Sequence, residues 1–202
     1  MRLFPRFLLS ALAPEQFPQS AVPEFAFLGR SNVGKSSLIN SLVGSKEAKV
    51  SSTPGRTRAI NFFALYDSPK QSSPRFLFAD LPGYGYAKIS KSISSEWPKF
   101  IEPYLASRAP LAMCVCLVDS RIPAQPSDAQ LIRYLAATGR KYLVVATKAD
   151  KLSGNTRVKA QSTLKAELEV DKILMISAKT GAGMKELWAA IETAADEASA
   201  QR

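Results

Sequence analysis

Short apolar runs alternate along the chain with longer segments whose apolar residues recur every three or four positions. In the second half, the apolar runs predict strands at Ala112–Val118, Tyr142–Ala146 and Ile173–Ile176. The periodic segments predict helices at Ser127–Ala137, Asn155–Glu169 and Met184–Ala198. The last helix carries a single apolar face, which we interpret as core: Met184, Leu187, Trp188, Ile191, Ala194 and Ala195.

The first half begins the same alternation with a different arrangement. Phe25–Leu28 predicts a buried strand, and a helix is expected from Ser37 to about Gly44. Two further strands, Ala59–Tyr66 and Arg75–Asp80, are joined by a short polar link and therefore predict a hairpin. A helix is also expected over Ser94–Ser107.

The six predicted strands and the helices between them indicate an α/β fold. We expect a mainly parallel six-stranded sheet with one antiparallel edge strand and with helices on both faces. Sheets of this kind bind ligands at the carboxyl ends of their strands. A length of 202 residues fits one domain, which we assign to residues 24–202. Residues 1–23 are interpreted as an N-terminal extension that packs on that domain.

The apolar segment Met1–Ala13 resembles a secretory signal only superficially. Pro5 and Arg6 interrupt it, and the remaining run is too short for a signal core or a membrane span. Cys114 and Cys116 are the only cysteines and lie in a predicted strand, where they are expected to act as small apolar core residues in a reducing compartment. The sequence therefore favours a cytoplasmic protein without membrane contact, and we expect a monomer.

The charge balance is strongly basic, with 27 Lys and Arg against 17 Asp and Glu and a pI near 9.7. Residues 1–110 hold 14 basic and 7 acidic side chains, and residues 111–202 hold 13 and 10, so the excess lies mainly in the first half. Such an excess favours a polyanionic partner, although many basic proteins bind no nucleic acid. The absence of histidine excludes His-based triads and the usual His-containing zinc sites.

A complete GxxxxGK[ST] motif follows the first predicted strand and opens the first predicted helix, as Gly29-Arg30-Ser31-Asn32-Val33-Gly34-Lys35-Ser36. A strand that leads through a glycine-rich turn into a helix aims backbone N–H groups and the positive helix end at one point. A di- or triphosphate can bind there. Lys35 would reach the β and γ phosphates, and Ser36 would supply a hydroxyl to Mg²⁺.

Three further loops follow predicted strands. The first is a DxxG motif, Asp80-Leu81-Pro82-Gly83, in which Asp80 would hold Mg²⁺, through a water, and the Gly83 N–H would meet the γ phosphate. The second is Thr147-Lys148-Ala149-Asp150. A carboxylate at Asp150 matches the N1–H and exocyclic amino group of guanine, whereas adenine presents an acceptor at N1, so this motif favours GTP over ATP.

Other residues complete the expected base site. The Lys148 stem would lie along the base, and Thr147 would tie its loop to the phosphate loop. The third loop, Ser177-Ala178-Lys179, precedes the last helix and would offer the Ala178 N–H to guanine O6.

With these motifs in order, the chain resembles the translation-factor-class GTPases, and within them the EngB group, also called YihA or YsxC. The resemblance rests on the extended phosphate loop through Ser37-Leu38-Ile39-Asn40, on Thr53-Pro54-Gly55-Arg56-Thr57-Arg58-Ala59-Ile60-Asn61-Phe62-Phe63 and on Asp80 to Ala87. It runs from about Phe7 to the final helix. It implies a Ras-like fold, Mg²⁺-dependent GTP binding and hydrolysis, a role in large ribosomal subunit assembly, and a need for the protein in normal cell division and septation.

The resemblance also assigns residues that the motifs alone do not. It makes Thr57 the switch threonine that reaches Mg²⁺ and the γ phosphate in the GTP state, with Gly55 and Arg56 beside it in the nucleotide site. Many related GTPases have a water-orienting glutamine after DxxG, but here that residue is Tyr84. We therefore expect slow GTP hydrolysis that a partner or a bound ion completes.

Asn32 indicates one such ion, because relatives stimulated by potassium carry asparagine at this point of the phosphate loop. Two interpretations of Asn32 stay open: it helps to hold K⁺ near the phosphates, or it only stabilises the loop.

The resemblance assigns Thr53–Phe63 and Asp80–Ala87 as two switch segments. Seven basic residues lie in or beside them: Lys46, Lys49, Arg56, Arg58, Lys88, Lys91 and Lys99. They predict a surface that docks on ribosomal RNA in the GTP state, against the alternative of a charged face that only aids solubility. Tyr84, Tyr86 and Trp97 would either stack on bases or pack in the core. The alternative function is a protein-binding module at the division septum that uses GTP mainly as a structural ligand.

Overall fold

The structure is a computed structural model, and it describes residues 3–44, 59–84 and 101–200. Seven strands form one sheet: β1 (Phe4–Ala11), β2 (Glu24–Gly29), β3 (Ile60–Tyr66), β4 (Phe76–Asp80), β5 (Leu111–Asp119), β6 (Tyr142–Thr147) and β7 (Ile173–Met175). The helices are α1 (Lys35–Val43), α2 (101–107), α3 (Pro126–Ala137), α4 (Gly154–Leu168) and α5 (Met184–Ala200). Short 3₁₀ turns lie at Pro14–Gln16 and Ala149–Lys151.

The sheet has the order β1-β3-β4-β2-β5-β6-β7. β3 is antiparallel to both of its neighbours, and every pairing from β4 through β7 is parallel. This arrangement confirms the Ras-like α/β fold and the predicted hairpin of β3 and β4. Each predicted strand and helix of the second half is present, with bounds that differ by at most two residues. Of the helix expected over Ser94–Ser107, residues 94–100 lie outside the described ranges.

The sheet has seven strands rather than the six expected, because the N-terminal segment contributes β1. This strand pairs with β3 and places β3 one position inside the edge. Its register is irregular between Phe7 and Leu9, and Pro5 interrupts its apolar pattern. An edge strand tolerates proline because one row of its N–H groups has no neighbour to bond. Because of these features, the local sequence pattern did not predict β1 as a strand.

The core lies on both faces of the sheet, as alternation along β2 shows. Ala26 and Leu28 point into one cluster, which also contains Phe62 and Tyr104. Phe25 and Phe27 point into the other, which is covered by α1 and α5. Because both faces of β2 are fully buried, the strand is apolar at successive positions and carries the loop that follows it at the centre of the molecule.

Two predictions about the core are confirmed. The face of α5 that contains Leu187, Ile191 and Ala194 is buried against the sheet. Cys114 and Cys116 are free thiols in β5, buried within the core. Burial raises the pKa of Cys114 to about 12, so both geometry and chemistry make it an inert core residue.

A buried ionic cluster lies at the amino end of β2, where Glu24 is completely inaccessible to solvent. Glu24 Oε1 accepts hydrogen bonds from the Tyr104 hydroxyl at 2.6 Å and from Arg108 Nε at 3.0 Å. Glu24 Oε2 accepts Arg108 Nη2 at 2.7 Å, and the same nitrogen donates to the Pro18 carbonyl at 2.8 Å. The cluster fastens the end of α2 to the strand that leads to the phosphate loop.

Replacing Arg108 with methionine should lower the free energy of unfolding by about 3–5 kcal/mol, because Glu24 would keep a buried charge without its cationic partner. Chemical denaturation measures this change. Lys141→Met is the matched control, since Lys141 pairs with Glu197 at an exposed site and should cost less than about 1 kcal/mol. Equal stability of both variants would show that the cluster is not the anchor described above.

Candidate functional site

The phosphate loop connects β2 to α1 and is shaped by two residues with left-handed backbone. Asn32 has φ 64° and Gly34 has φ 106°. Gly34 is the N-cap of α1 and provides no side-chain cap, so the first N–H groups of α1 are not satisfied by its N-cap residue. Such a helix start binds anions, because its N–H groups and its dipole both point toward the loop.

The DxxG loop is joined to the phosphate loop by backbone hydrogen bonds. The Ser31 N–H donates to the Tyr84 carbonyl at 3.0 Å, and the Tyr84 N–H donates to the Gly29 carbonyl at 3.4 Å. Gly83 lies so close that a Cβ there would sit 3.0–3.1 Å from atoms of Ser31. A Cβ would require Ser31 to shift by a few tenths of an ångström, so this close contact favours glycine.

Lys35 and Asp80, both predicted site residues, form an ion pair between the two loops. Their side chains are only 11% and 7% exposed, so each compensates a charge that the other would otherwise leave buried. A phosphate group bound to the loop would offer Lys35 a second anionic partner and would free the Asp80 carboxylate. The pair thus orients both side chains toward each other between the two loops.

Asp80 and Ser36 fit a magnesium ion, because both offer oxygen and Mg²⁺ in nucleotide sites takes only one or two protein ligands beside phosphates and water. Among the residues described, no group of three or more His, Cys, Asp or Glu side chains could hold a metal by itself. When bound, Mg²⁺ would neutralise phosphate charge. Thr57, the third predicted ligand, lies outside the described residues, as do Gly55 and Arg56.

The loop after β6, which carries the predicted base-recognition motif, is tied to the phosphate loop by a hydrogen bond. Thr147 Oγ1 lies 2.6 Å from the Val33 carbonyl oxygen and 3.1 Å from that of Val118, and both contacts are buried. Lys148 Nζ donates to the Asn32 carbonyl at 2.7 Å. The lysine backbone is left-handed, with φ 61°, which turns the chain into the 3₁₀ turn that carries Asp150.

Asp150 and Ser177 are brought together by their hydrogen bond, in which Ser177 Oγ donates to Asp150 Oδ1 at 2.7 Å. The Lys179 and Thr180 N–H groups donate to the same hydroxyl oxygen at 3.2 and 3.1 Å. The Ser177 hydroxyl lowers the pKa of Asp150 below its usual range. The carboxylate is exposed and ionised at neutral pH, the state needed to accept hydrogen bonds from a base.

The structure therefore places four predicted motifs at one edge of the sheet, after β2, β4, β6 and β7. The predicted site residues that lie in the described ranges are Gly29, Arg30, Ser31, Asn32, Val33, Gly34, Lys35, Ser36, Ser37, Asp80, Leu81, Pro82, Gly83, Thr147, Lys148, Ala149, Asp150, Ser177, Ala178 and Lys179. Tyr86, Trp97 and the seven basic residues of the predicted docking surface lie outside the described ranges.

Tyr84 packs against the core, which favours the second of its two expected roles. Its hydroxyl donates to Asp128 Oδ1 at 3.0 Å, and Asp128 Oδ2 accepts the N–H of Gln125, the N-cap residue of α3. Burial, followed by the Asp128 charge, raises the pKa of Tyr84 well above its usual value. The hydroxyl is thus protonated and directed to α3. Sequence reasoning missed Asp128, although its place in the first turn of a predicted helix marks it as a cap.

Sequence reasoning also missed Asp119, the last residue of β5. Its carboxylate accepts hydrogen bonds from Arg121 and, at 2.8 Å, from Lys148 Nζ. Burial disfavours the charged form of Asp119, but the hydrogen bonds from Arg121 and Lys148 outweigh it and hold the pKa well below its usual range. Its position could have indicated a site residue, because Asp119 ends a parallel strand at the same sheet edge as the predicted motifs.

Comparison with known proteins gives a consistent result. The family of 50S ribosome-binding GTPases matches residues 24–148. The "Probable GTP-binding protein EngB" of Acidobacterium capsulatum is 69% identical over 199 residues, which cover 98% of this chain and 94% of that protein. The protein of the same name from Koribacter versatilis is 53% identical over 195 residues and covers 96% of both chains.

Two solved structures support the fold. The crystal structure of "a probable GTP-binding protein engB" superposes with a TM-score of 0.70 at 24% identity, over 86% of this chain and 99% of that one. The structure of Era with MgGDPNP and a segment of 16S ribosomal RNA gives 0.67 at 24% identity, over 86% of this chain and 56% of that one. Within the residues described, no helix combines the length and apolar composition needed to cross a membrane.

Proposed function

Because the chain belongs to the EngB family of GTP-binding proteins, we propose that it hydrolyses GTP to GDP and phosphate as a switch in large ribosomal subunit assembly. It acts in the cytoplasm as a monomer, and normal cell division and septation depend on it. The observation that carries the proposal is the meeting of four nucleotide motifs at one sheet edge, with Lys35 and Asp80 already paired there.

We assign one end of the site to the phosphates because of the charged side chains and backbone N–H groups of its loops. Lys35 binds the β and γ phosphates, and the Gly83 N–H meets the γ phosphate. Ser36, Asp80 and Thr57 would hold Mg²⁺, with Thr57 engaged only when the γ phosphate is present. This difference between the GTP and GDP states makes the site a switch.

The base end of the site is assigned to guanine. Asp150 accepts hydrogen bonds from N1–H and the exocyclic amino group, while Ser177 orients its carboxylate. The Ala178 N–H meets O6, and the Lys148 stem lies along the ring. A site of this kind discriminates strongly, because the wrong base leaves polar groups without partners.

Slow turnover follows from the residue after DxxG. Tyr84 cannot orient a water at the γ phosphate while its hydroxyl is bound to Asp128, and glutamine is absent at that position. Catalysis would then need help from a partner or an ion. The backbone of Asn32 is fixed by Lys148 and its side chain is exposed, which leaves that side chain available to contribute to a K⁺ site.

Steady-state GTP hydrolysis should be faster in potassium than in sodium at equal ionic strength. Asn32→Gly is the informative variant, since glycine accepts the left-handed backbone while removing the side chain. It should abolish the difference between the two salts. Equal turnover of the unsubstituted chain in both salts would remove potassium from the proposal and leave Asn32 with a structural role.

Asp150→Asn should weaken GDP binding by at least about 100-fold, because the amide cannot accept both hydrogen bonds from guanine. The same variant should gain affinity for xanthosine diphosphate, whose O2 accepts from the new amide. Titration with fluorescent nucleotide analogues measures both changes. Asp171→Asn, at an exposed site outside the described motifs, should change neither affinity. Retained GDP affinity in Asp150→Asn would reject the assigned base contact.

Several observations support ribosomal RNA as the partner. The chain has a formal net charge of +10, and the matching family is described as ribosome-binding. Seven of the basic residues fall in or beside the two switch segments that the family resemblance assigns. RNA binding through them would therefore depend on nucleotide.

Co-sedimentation with ribosomal subunits tests this docking. The purified protein should bind the large subunit with a non-hydrolysable GTP analogue and much less with GDP. Raising salt from about 50 to about 200 mM should weaken binding by about tenfold or more, because phosphate contacts release counterions. Equal binding in both nucleotide states, or none, would instead direct the search to a protein partner at the septum.

A further inference from the structure

We propose that Asp119 is a positioning residue for nucleotide recognition, which holds the Lys148 ammonium so that the lysine stem forms a fixed wall of the base site. The inference rests on the proposed function, because it assumes that a guanine nucleotide occupies this edge of the sheet. It concerns a residue that belongs to none of the four motifs. Asp119 acts through Lys148 and is not assigned a contact with the nucleotide.

The position of Asp119 follows from the register of two parallel strands. Asp119 pairs with Thr147 across β5 and β6, so Lys148 is the next residue beyond that pair. The lysine ammonium lies 2.8 Å from Asp119 Oδ2 and 2.7 Å from the Asn32 carbonyl. The side chain is therefore fixed at its far end, between the phosphate loop and the end of β5.

The Asp119 carboxylate is itself rigidly oriented by Arg121. Its Oδ1 accepts the Arg121 N–H at 3.0 Å and Arg121 Nε at 2.9 Å. Its Oδ2 accepts Arg121 Nη2 at 2.8 Å as well as Lys148 Nζ. Four hydrogen bonds to the protein use the accepting capacity of both oxygens, so the carboxylate is suited to positioning rather than to binding a ligand.

Two left-handed residues are connected by this arrangement. Lys148 and Asn32 have φ of 61° and 64°, a left-handed conformation that asparagine adopts more readily than most residues and that is uncommon for lysine. The ammonium bonds the carbonyl of Asn32 directly, and Asp119 holds the ammonium in place. Loss of the Asp119 charge would therefore loosen the lysine stem and the phosphate loop together.

The two ion pairs of the site should respond differently to a bound nucleotide. The pair formed by Lys35 and Asp80 lies at the phosphate end, where a nucleotide would compete for Lys35. The pair formed by Lys148 and Asp119 lies beside the base, and neither the ribose nor the base carries an anionic group that would replace the carboxylate. We therefore expect the second pair to persist in the GDP-bound state.

The test measures dissociation of a fluorescent GDP analogue by stopped flow. Asp119→Asn keeps the size of the side chain but turns one oxygen into a donor that repels the ammonium, and it should speed dissociation by about tenfold. Lys148→Met retains an apolar stem without the ammonium. Because Asp119 acts through Lys148, Asp119→Asn should add less than about twofold when combined with Lys148→Met.

A merely structural role for Asp119 would give a different pattern. It would lower the unfolding midpoint of the nucleotide-free protein and would speed dissociation equally in the presence and absence of Lys148→Met. Glu197→Gln is the control for a general charge effect. Glu197 lies on α5 and forms an exposed ion pair with Lys141, so its loss should leave dissociation of the GDP analogue unchanged.

The inference is overturned if Asp119→Asn dissociates at the rate of the unsubstituted chain, or if its effect persists in full beside Lys148→Met. Should Asp119→Asn fail to fold, Arg121→Met loosens the same carboxylate from an exposed position and should speed dissociation by about threefold. No change in that variant then overturns the inference. Failure of the proposed function is distinct, because the unsubstituted chain would then bind no GDP analogue.

Discussion

The Thr147 hydroxyl, buried between the carbonyls of Val33 and Val118, determines where the phosphate loop lies relative to the base site. The loop is held on its other side by backbone hydrogen bonds to Tyr84. These contacts join the three segments within the protein and orient the loop that would bind phosphate.

Charges at this edge are also paired within the protein. Two lysines of the proposed nucleotide site, Lys35 and Lys148, have carboxylate partners from a neighbouring strand, Asp80 and Asp119. A half-buried ammonium without such a partner would be costly and loosely oriented. The two pairs differ in what a nucleotide would do to them, since only Lys35 is expected to contact phosphates.

Much of this arrangement could be predicted from the sequence, because fully buried parallel strands give continuous apolar runs such as Phe25–Leu28 and because each motif directly follows one. The strand Phe4–Ala11 could not, since its paired residues on β3 lie 49 to 62 positions further along the chain and its own pattern is broken by Pro5 and a register irregularity. The contact of Lys148 with Asp119 could not be predicted either, because it depends on the left-handed backbone at Lys148 rather than on residue type or spacing. Segments 45–58 and 85–100 lie outside the described residues, so predictions on them stay predictions.

The two thiols of β5 have a consequence of another kind. Cys114 and Cys116 are the only cysteines of the chain, and both are buried on the strand that pairs with β2 and β6. A thiol reagent can reach them only when the centre of the sheet separates from the helices that cover it, because surface fraying leaves β5 enclosed. The rate at which the two thiols react with such a reagent therefore measures how often the core opens.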